Sequence, residues 1–450
     1  MKSIKHFYML ALALMLLPSA CSFLEIPAPK DQLVRGNVYT SDQSATAVIS
    51  GIYYGVIEAS GQLGNLGIAT ELSSDQLVYA GGDNGYRQFF ENSLDESNGM
   101  IQNLWTAFYR SIYRCNAALE GLADATSIAA DLHDQLRGEV LAIRAFCYFY
   151  LTNLWGDVPL VDGADHRVNQ RIGRTPSASV QAAILADLRE AEALLSDAYP
   201  SADRARINRR VVQALLARVY WLAGDWQQAA DAATNVINDP AYVLEDPEAA
   251  FSMGSRGTIW QLIPFNLPAQ APTYIPGQPE LIPTYYVAPQ LLDDDEPGDQ
   301  RTVVWLGTNE VDGVSYPYPY KYKVASGNSP ATEALVVFRV AEQYLIRAEA
   351  RAMLDDEAGA LADVNAVRHR AGLGEFDGRG EALLAAIARE RRIELFAEWG
   401  LRWLDLKRSG TAAEVLSPLK PGWKPADLLW PLPLAERQRN PNLEPQNDGY

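Results

Sequence analysis

The chain has few of the residues from which metal centres and disulfides are built. Its 450 residues include three cysteines and four histidines, and no His-Glu-x-x-His motif occurs. This scarcity leaves little from which to build a zinc site. Cys115 and Cys147 lie in helical patterns among apolar residues, where a disulfide of an exported protein and two buried free thiols are equally compatible with the sequence.

Long apolar runs and positive charge are scarce as well. After the N-terminal segment, no stretch is apolar enough to span a bilayer, which takes about 20 residues. The formal net charge is −18, and removing a signal that carries Lys2 and Lys5 leaves 36 basic side chains against 56 acidic ones. Because such a surface repels phosphate backbones, we expect no nucleic-acid partner.

The first 20 residues have the pattern of an export signal. Lys2 and Lys5 precede an apolar run that is too short to span a membrane, and Ser19-Ala20 stand directly before Cys21. A cysteine in this place resembles a bacterial lipobox, in which Cys21 receives lipid and becomes the mature N-terminus; an ordinary signal with a chance cysteine is the alternative. Two or more acyl chains anchor a protein stably. We therefore predict a signal peptide at 1–20 and one lipid-anchored domain at 21–450.

Helical periodicity dominates the rest of the chain and predicts an all-α fold, with tetratricopeptide-like helix pairs over about 105–239 and 339–400. Ala217 and Ala229 have the same spacing as Ala348 and Ala360. Small side chains at these places allow two antiparallel helices to approach closely, and such pairs bury their apolar faces by stacking. A further helix is predicted over 379–400.

Three stretches are predicted to be rich in loops: 60–99, 241–332 and 416–450. The second contains many prolines, which exclude a long helix there. Loops of this length within a compact protein are usually functional, and their aromatic residues argue against disorder.

Several segments occur in an order that is typical of one family. They include Arg144-Ala-Phe-Cys-Tyr-Phe-Tyr-Leu, Trp155-Gly-Asp-Val-Pro-Leu160, Arg402-Trp-Leu-Asp-Leu-Lys-Arg408 and the ending from Trp430-Pro-Leu-Pro to Asn-Asp-Gly-Tyr450. Over most of its length the chain resembles the SusD/RagB family of surface lipoproteins from Bacteroidetes, although Asp448 stands where the family usually has proline.

The resemblance implies a SusD-like fold in which helix pairs form the scaffold and long loops bind the ligand. It further implies an outer-membrane protein that faces the cell exterior and covers a TonB-dependent transporter of the SusC type. Such proteins capture oligosaccharides, or in some cases peptides, and are not enzymes. A lipid-anchored helical scaffold for other envelope proteins and a helical glycosidase are the alternatives outside this class.

Sugar rings present apolar faces and hydroxyl edges, so their binding calls for exposed aromatic planes beside polar side chains. The resemblance places ligand contacts in the first two loop-rich stretches, which contain such residues. The candidates are Tyr79, Asp83, Tyr86, Arg87, Tyr285, Tyr286, Trp305, Tyr316, Tyr318 and Tyr320.

Two acidic segments are alternative candidates for a functional site. Glu390, Glu394 and Glu398 recur at helical spacing and could do acid–base work on glycosides. A structural charge network is favoured instead, with Arg391, Arg392, Arg402 and Arg408 as the neutralising groups. The acidic loop 291–301 could hold a structural calcium, but it lacks EF-hand spacing, and a solvated loop is favoured. We predict no catalytic residue, no metal ligand and no cofactor.

Overall fold

The computed structural model describes residues 38–263, 271–325 and 332–450, without the side chains of residues 57–64. The predicted signal peptide and Cys21 lie outside these residues. Eleven helices of eight or more residues and three pairs of short antiparallel strands make up the described part. The prediction of a mainly helical fold is confirmed. None of the described helices is both long and apolar enough to cross a membrane.

The long helices are α1 Asp42–Ser73, α2 Asn84–Glu91, α3 Gly99–Ala123, α4 Ala130–Trp155, α5 Ser177–Leu194, α6 Arg209–Ala223, α7 Trp226–Ile237, α8 Val340–Met353, α9 Glu357–Arg370, α10 Glu381–Glu394 and α11 Leu401–Ser409. Shorter helices occupy His166–Asn169, Ala271–Tyr274, Pro289–Leu292, Gln300–Trp305, Ala412–Leu416 and Leu434–Arg439, and 3-10 turns occupy Pro425–Leu428 and Pro441–Leu443. Neighbouring helices stack in the order α3, α4, α5, α6, α7, α8, α9.

The strands connect distant parts of the chain. They are β1 Leu77–Tyr79, β2 Thr258–Leu262, β3 Tyr285–Val287, β4 Leu306–Val311, β5 Val314–Pro319 and β6 Leu335–Arg339. β1 pairs with β3, β2 with β6, and β4 with β5, all in antiparallel orientation. The first pair joins the two predicted ligand-binding stretches, and the last forms a hairpin.

The two predicted helix pairs are α6 with α7 and α8 with α9. All four alanines of the repeated spacing are fully buried at the crossings. Gly224 ends α6 with a φ of +74°, a conformation that glycine adopts without strain. In the second pair, Asp356 caps α9 by accepting a hydrogen bond of 3.0 Å from the N–H of Gly359. The alanine spacing therefore located the close helix contacts correctly.

The stretch 60–99 differs from its prediction, because it consists largely of helix. α1 continues to Ser73 through several glycines, and α2 follows soon after β1. Glycine has a low helix propensity, which is why the sequence indicates a loop. Burial of Leu66, Ile68 and Leu72 against the neighbouring helices overrides that preference.

The C-terminal stretch is short on regular structure and is nevertheless packed into the core. Trp430 is fully buried, with its ring centroid 5.3 Å from that of Trp155 and 5.1 Å from that of Phe89. The Asn447 amide donates hydrogen bonds of 2.9 Å and 2.7 Å to the carbonyl oxygens of Trp155 and Trp430. These contacts tie the last residues to α4.

Cys115 and Cys147 are buried free thiols, so the disulfide alternative is wrong. Burial raises the pKa of Cys115 to about 12 and raises the pKa of Cys147 well above its ordinary value. Both side chains therefore act as small apolar groups between α3 and α4.

Replacing Ala217 with leucine is expected to lower the free energy of unfolding by about 1–3 kcal/mol, because the added atoms must enter a close-packed helix crossing. Ala193→Leu on the exposed face of α5 is the matched control, with an expected change of about 0.5 kcal/mol or less. Urea unfolding of both variants measures the difference. Equal stability of the two variants would contradict the close crossing of α6 and α7.

Candidate ligand-binding site

The β1–β3 pair brings the two predicted stretches together. Tyr79 stands opposite Tyr285, and the ring centroids of the two residues are 5.6 Å apart. Tyr86, in the first turn of α2, places its ring 5.5 Å from Tyr285 and 5.7 Å from Tyr79. Tyr274 packs edge-on against Tyr285 at 6.1 Å. We call these four residues the inner tyrosine cluster.

Most of the inner tyrosine cluster is a packing element. Tyr79, Tyr274 and Tyr285 are buried, whereas Tyr86 is partly exposed. Burial raises the pKa of Tyr86 and of Tyr285 above their ordinary values. The cluster therefore supports the β1–β3 pair, and Tyr86 is its one partly exposed ring.

Asp83 and Arg87 hold the turn between β1 and α2 beside this cluster. Asp83 accepts a hydrogen bond of 3.1 Å from the N–H of Tyr86, which caps α2, and its own N–H donates to the hydroxyl of Tyr79 at 2.7 Å. The Arg87 guanidinium donates to the carbonyl oxygen of Gly81 at 2.8 Å and lies 5.7 Å above the Tyr79 ring. Asp83 is exposed and Arg87 is half-buried, so both remain within reach of solvent.

A second group of rings lies on the other face of β3. Because side chains alternate along a strand, Tyr286 points away from Tyr285. Its ring meets that of Tyr316 on β5 edge to face at 5.3 Å, and both rings are half-buried. Tyr320 lies four residues after Tyr316, and its ring is also half-buried. We call Tyr286, Tyr316 and Tyr320 the outer tyrosine row.

Tyr318 lies between Tyr316 and Tyr320 but is buried. Its ring crosses Gly307, the residue opposite it on β4, so closely that a Cβ at this position would lie 2.4 Å from the ring. Gly307 thus lets the ring fold down onto the hairpin. Tyr318 stiffens the outer tyrosine row rather than extending it.

Asn309 anchors the hairpin to the loop before β3, although no sequence pattern predicted a role for this residue. Its buried side-chain amide donates to the carbonyl oxygens of Gln278 and Leu281 at 3.0 Å and 2.8 Å. Leu281, Ile282 and Val314 are large, exposed apolar residues of these same segments. A single asparagine within a strand has no distinguishing pattern, and apolar exposure is not readable from a sequence.

The prediction of an exposed Trp305 ring is wrong. Trp305 is 1% exposed, and its indole N–H donates to the carbonyl oxygen of Pro247 at 2.8 Å. The ring packs edge to face on Phe251 at 5.6 Å, and the Lys321 ammonium lies 4.6 Å from its centroid. Trp305 ends the short helix before β4, where it fills the space between the hairpin and the helices.

The predicted glutamate row is a buried charge network beneath the hairpin. Arg339 binds Glu394 at 2.7 Å and Glu398 at 2.8 Å, and Arg301 binds Glu390 at 2.8 Å. Further ion pairs join the same glutamates. We call the whole set the Arg339 network, and its members are Arg301, Lys321, Arg339, Arg368, Arg370, Glu390, Glu394 and Glu398.

The neutralising residues of this network differ from those predicted. Arg391 pairs with Asp405, Arg402 with Asp75 and Arg408 with Glu349, while Arg392 bridges Asp75 and Asp294. The cations of the network come instead from distant segments of the chain. Helical spacing indicates which glutamates share a face, but it contains no information about residues that arrive from elsewhere in the sequence.

The helix predicted over 379–400 ends at Glu394. Ala397 and Trp399 have φ values of +57° and +47°, which are incompatible with a right-handed helix. The Trp399 indole donates to the carbonyl oxygen of Val336 at 2.7 Å and holds this turn. Glu398 therefore reaches the network from the turn after α10.

Ion pairs with basic side chains keep Glu394 and Glu398 ionised, because they lower the pKa of both carboxyl groups. Burial opposes ionisation of Glu394, but the guanidinium groups of Arg370, Arg339 and Arg301 hold its pKa well below its usual range. Burial lowers the pKa of Lys321 to about 8 despite its contact with Glu398. These groups are sealed from solvent, so they do not form an acid–base pair that a glycoside could reach.

The acidic loop 291–301 is neutralised by arginines. Asp294 pairs with Arg392, Glu296 with Arg368, and Asp299 with Arg301. Within the described ranges, no group of three or more His, Cys, Asp or Glu residues is arranged to hold a metal ion. The loop thus contributes ion pairs to the scaffold.

Two clefts lie away from the inner tyrosine cluster and the outer tyrosine row. One of about 650 Å³ runs along α3 and is lined by Trp105, Tyr109 and Tyr113. The other, of about 420 Å³, lies among α4, α5, α6 and α11. Both are lined by helix residues together with residues of the connecting segments, and neither was predicted.

Two family models match the chain. A family described as starch-binding and associating with the outer membrane matches residues 23–221, and the SusD family matches residues 309–422. The chain belongs to the SusD/RagB family. Tyr79 lies in the first matched range of this SusD-like protein and Tyr316 in the second. Tyr286 lies between the two ranges.

Related proteins extend the similarity over most of the chain. SusD-like protein P2 from Formosa agariphila is 29% identical over 439 residues, covering 82% of this chain and 85% of that protein. A SusD superfamily protein from Bacteroides vulgatus superposes with a TM-score of 0.82 at 18% identity, covering 91% of this chain and 99% of that one. A laminarin-binding SusD-like protein superposes with a TM-score of 0.74 at 25% identity, covering 92% and 100%.

Replacing Trp305 with alanine is expected to lower the free energy of unfolding by about 3–5 kcal/mol, because a fully buried indole leaves a cavity. Tyr316→Ala is the control, since its half-exposed ring fills less of the interior, and we expect a much smaller loss. Thermal and urea unfolding measure both. A Trp305→Ala variant that melts with the wild type would place the indole outside the core.

Proposed function

We propose that this SusD-like protein is a surface lipoprotein that binds oligosaccharides at the outer tyrosine row and delivers them to a SusC-like TonB-dependent transporter. The observation that carries the proposal is the edge-to-face pair of half-buried rings, Tyr286 on β3 and Tyr316 on the anchored hairpin. The match to a starch-binding family and the similarity to a laminarin-binding protein favour the same ligand class.

Partly accessible rings on a rigid support suit a sugar ligand. The apolar face of a pyranose packs on an aromatic plane, while its hydroxyl groups seek polar partners at the edge. Pro317 and Pro319 alternate with the tyrosines of β5, and Asn309 fixes the other strand. Since the hairpin is already ordered, little conformational entropy is lost when a ligand binds.

The same strand disfavours a peptide that would add to the sheet. The N–H of Tyr320 donates to the carbonyl oxygen of Trp305 at 2.7 Å, so in this register Pro317 and Pro319 direct their backbone groups away from β4. Proline has no N–H, and the outer edge therefore offers no donor at these two residues. A peptide strand needs alternating donors and acceptors.

A glycosidase is disfavoured by the burial of Glu390, Glu394 and Glu398, and by the lowered pKa of Glu394 and Glu398. A general acid needs a raised pKa and contact with the glycosidic oxygen. Glu394 has a depressed pKa and is fully buried. Binding without catalysis is therefore the activity that we assign. A bare envelope scaffold would leave the exposed rings without a role.

Replacing Tyr286 or Tyr316 with alanine is expected to weaken binding of an oligosaccharide about tenfold, or 1.4 kcal/mol, because each ring supplies one stacking face. Tyr54→Ala on α1 is the matched control, since Tyr54 is 52% exposed and lies outside the row. Calorimetry of the soluble domain against laminarin, starch and a wider polysaccharide panel measures the affinities. Unchanged affinity in both row variants would move the site elsewhere, with Tyr86 and Arg87 as the next candidates.

Affinity for a neutral glycan is expected to change less than about threefold between 0.1 M and 1 M salt, because stacking and hydrogen bonds are short-ranged. A basic peptide would instead be attracted by the net charge of −18. The same calorimetric titration at two salt concentrations separates these ligand classes. A tenfold loss of affinity in high salt would favour the peptide.

Cys21→Ala is expected to yield a folded protein that no longer partitions with membranes, because lipid at this residue is the proposed anchor. The measurement is membrane fractionation in a strain that lacks the transporter, since the transporter could otherwise retain the protein. Continued membrane association of the variant in that strain would contradict the lipid anchor.

A further inference from the structure

The cleft of about 420 Å³ lies where four helices meet the C-terminal stretch. α4, the start of α5 and the end of α6 form its walls, and the lining is completed by Lys407 of α11, Leu429 and the segments that contain Asp157 and Arg174. Its volume lies within the range of about 300–1,000 Å³ that is typical of small-molecule sites. It shares no residue with the inner tyrosine cluster or the outer tyrosine row.

Lys407 brings an uncompensated positive charge to this cleft. Its ammonium group donates to the carbonyl oxygen of Asn153, and no carboxylate of the described residues forms an ion pair with it. The buried cations Arg301, Lys321 and Arg339 each contact at least one glutamate. Desolvation lowers the pKa of Lys407 to about 8, so the ammonium form persists at neutral pH at an energetic cost.

Arg174 lies on the same cleft and also binds neutral groups. Its guanidinium donates to the carbonyl oxygens of Asp157 and Pro445 at 3.0 Å and 2.6 Å, and to the side-chain oxygen of Asn447 at 2.5 Å. The one acidic residue in the lining is Asp157, whose carboxylate accepts a hydrogen bond of 2.8 Å from the N–H of Ser177. Two cations and one carboxylate give the cleft a positive local charge within an acidic protein.

From this arrangement we propose that the cleft binds a small oxyanion-bearing ligand, a carboxylate or a sulfate, with its charged group against Lys407. An anion there supplies the counter-ion that Lys407 lacks, in surroundings where the pair is shielded from water. Phe149 and Leu429 add apolar wall, so a compact ring that carries the acidic group fits the cleft better than a bare ion. The sugar acid glucuronate has this chemistry.

The test is calorimetric titration of the whole soluble domain at pH 7 with sodium glucuronate and, separately, with sodium sulfate, at an ionic strength matched by sodium chloride. We expect saturable binding of at least one of the two anions. Tighter binding of glucuronate would identify a sugar acid as the ligand type, and binding of sulfate alone would identify a sulfated ligand. Absence of saturable binding with both anions overturns the proposal.

Lys407→Met removes the charge and keeps much of the side-chain volume, and we expect it to abolish the binding. Lys420→Met is the matched control, because Lys420 is a second lysine whose ammonium donates to a backbone carbonyl, that of Leu72, and it does not line this cleft. Binding that survives in Lys407→Met, or that is lost equally in both variants, overturns the assignment.

The wild-type protein offers a second readout that does not depend on a folded variant. With a pKa of about 8, only a minor fraction of Lys407 is protonated in the free protein at pH 9, and apparent affinity scales with the competent fraction. Anion affinity should therefore fall about tenfold from pH 7 to pH 9. Equal affinity at both pH values overturns the role of Lys407, whereas neutral-glycan binding at the outer tyrosine row is expected to remain unchanged.

Discussion

The Arg339 network is the interaction on which the rest of the structure depends, because it joins the helical scaffold to the hairpin that carries the rings. Arg301 lies in the short helix that leads into β4, and Lys321 directly follows Tyr320. Arg301 forms an ion pair with Glu394 at the end of α10, and Lys321 forms one with Glu398 in the turn that follows. The hairpin is thus held at both ends. Loss of one partner would leave a buried charge uncompensated, at a cost of about 3–5 kcal/mol.

The tyrosines divide into a group that supports and a group that is displayed. The inner tyrosine cluster packs under β1 and β3, whereas the outer tyrosine row lies on the opposite face of β3 and along β5. Gly307 and Asn309 set the position of the hairpin by admitting the Tyr318 ring and by tying β4 to the preceding loop. A receptor for oligosaccharides gains from this rigidity, since ring faces that are already in place lose little entropy on binding.

The charge distribution distinguishes two kinds of proposed ligand for this acidic protein, neutral sugars and small anions. The ligands proposed for the outer tyrosine row are neutral sugars, for which the net charge of −18 is of little consequence. The cleft at Lys407 is locally positive, because its one acidic residue is outnumbered by Lys407 and Arg174. An anion that enters it meets short-range attraction in a desolvated site, which the distant surface charge opposes only weakly in physiological salt.

The sequence by itself determined the helical class, the close helix crossings and the family. Alanine spacing is local, and it located Ala217 and Ala348 because a close crossing admits only small side chains. The order of short segments was sufficient for the SusD/RagB family. The aromatic residues of the predicted loops included Tyr286 and Tyr316 among the ligand-binding candidates. The structure places the ring centroids of these two residues 5.3 Å apart.

Only the tertiary structure decided which aromatic residues reach solvent and which charges pair. Trp305 and Tyr286 look alike in the sequence, yet one is sealed against Phe251 and the other remains half-exposed. Arg339 reaches Glu394 across 55 positions of the chain. The exposure of a side chain and its ion-pair partners depend on residues that are distant in the sequence. The pattern of a single segment therefore does not predict either property.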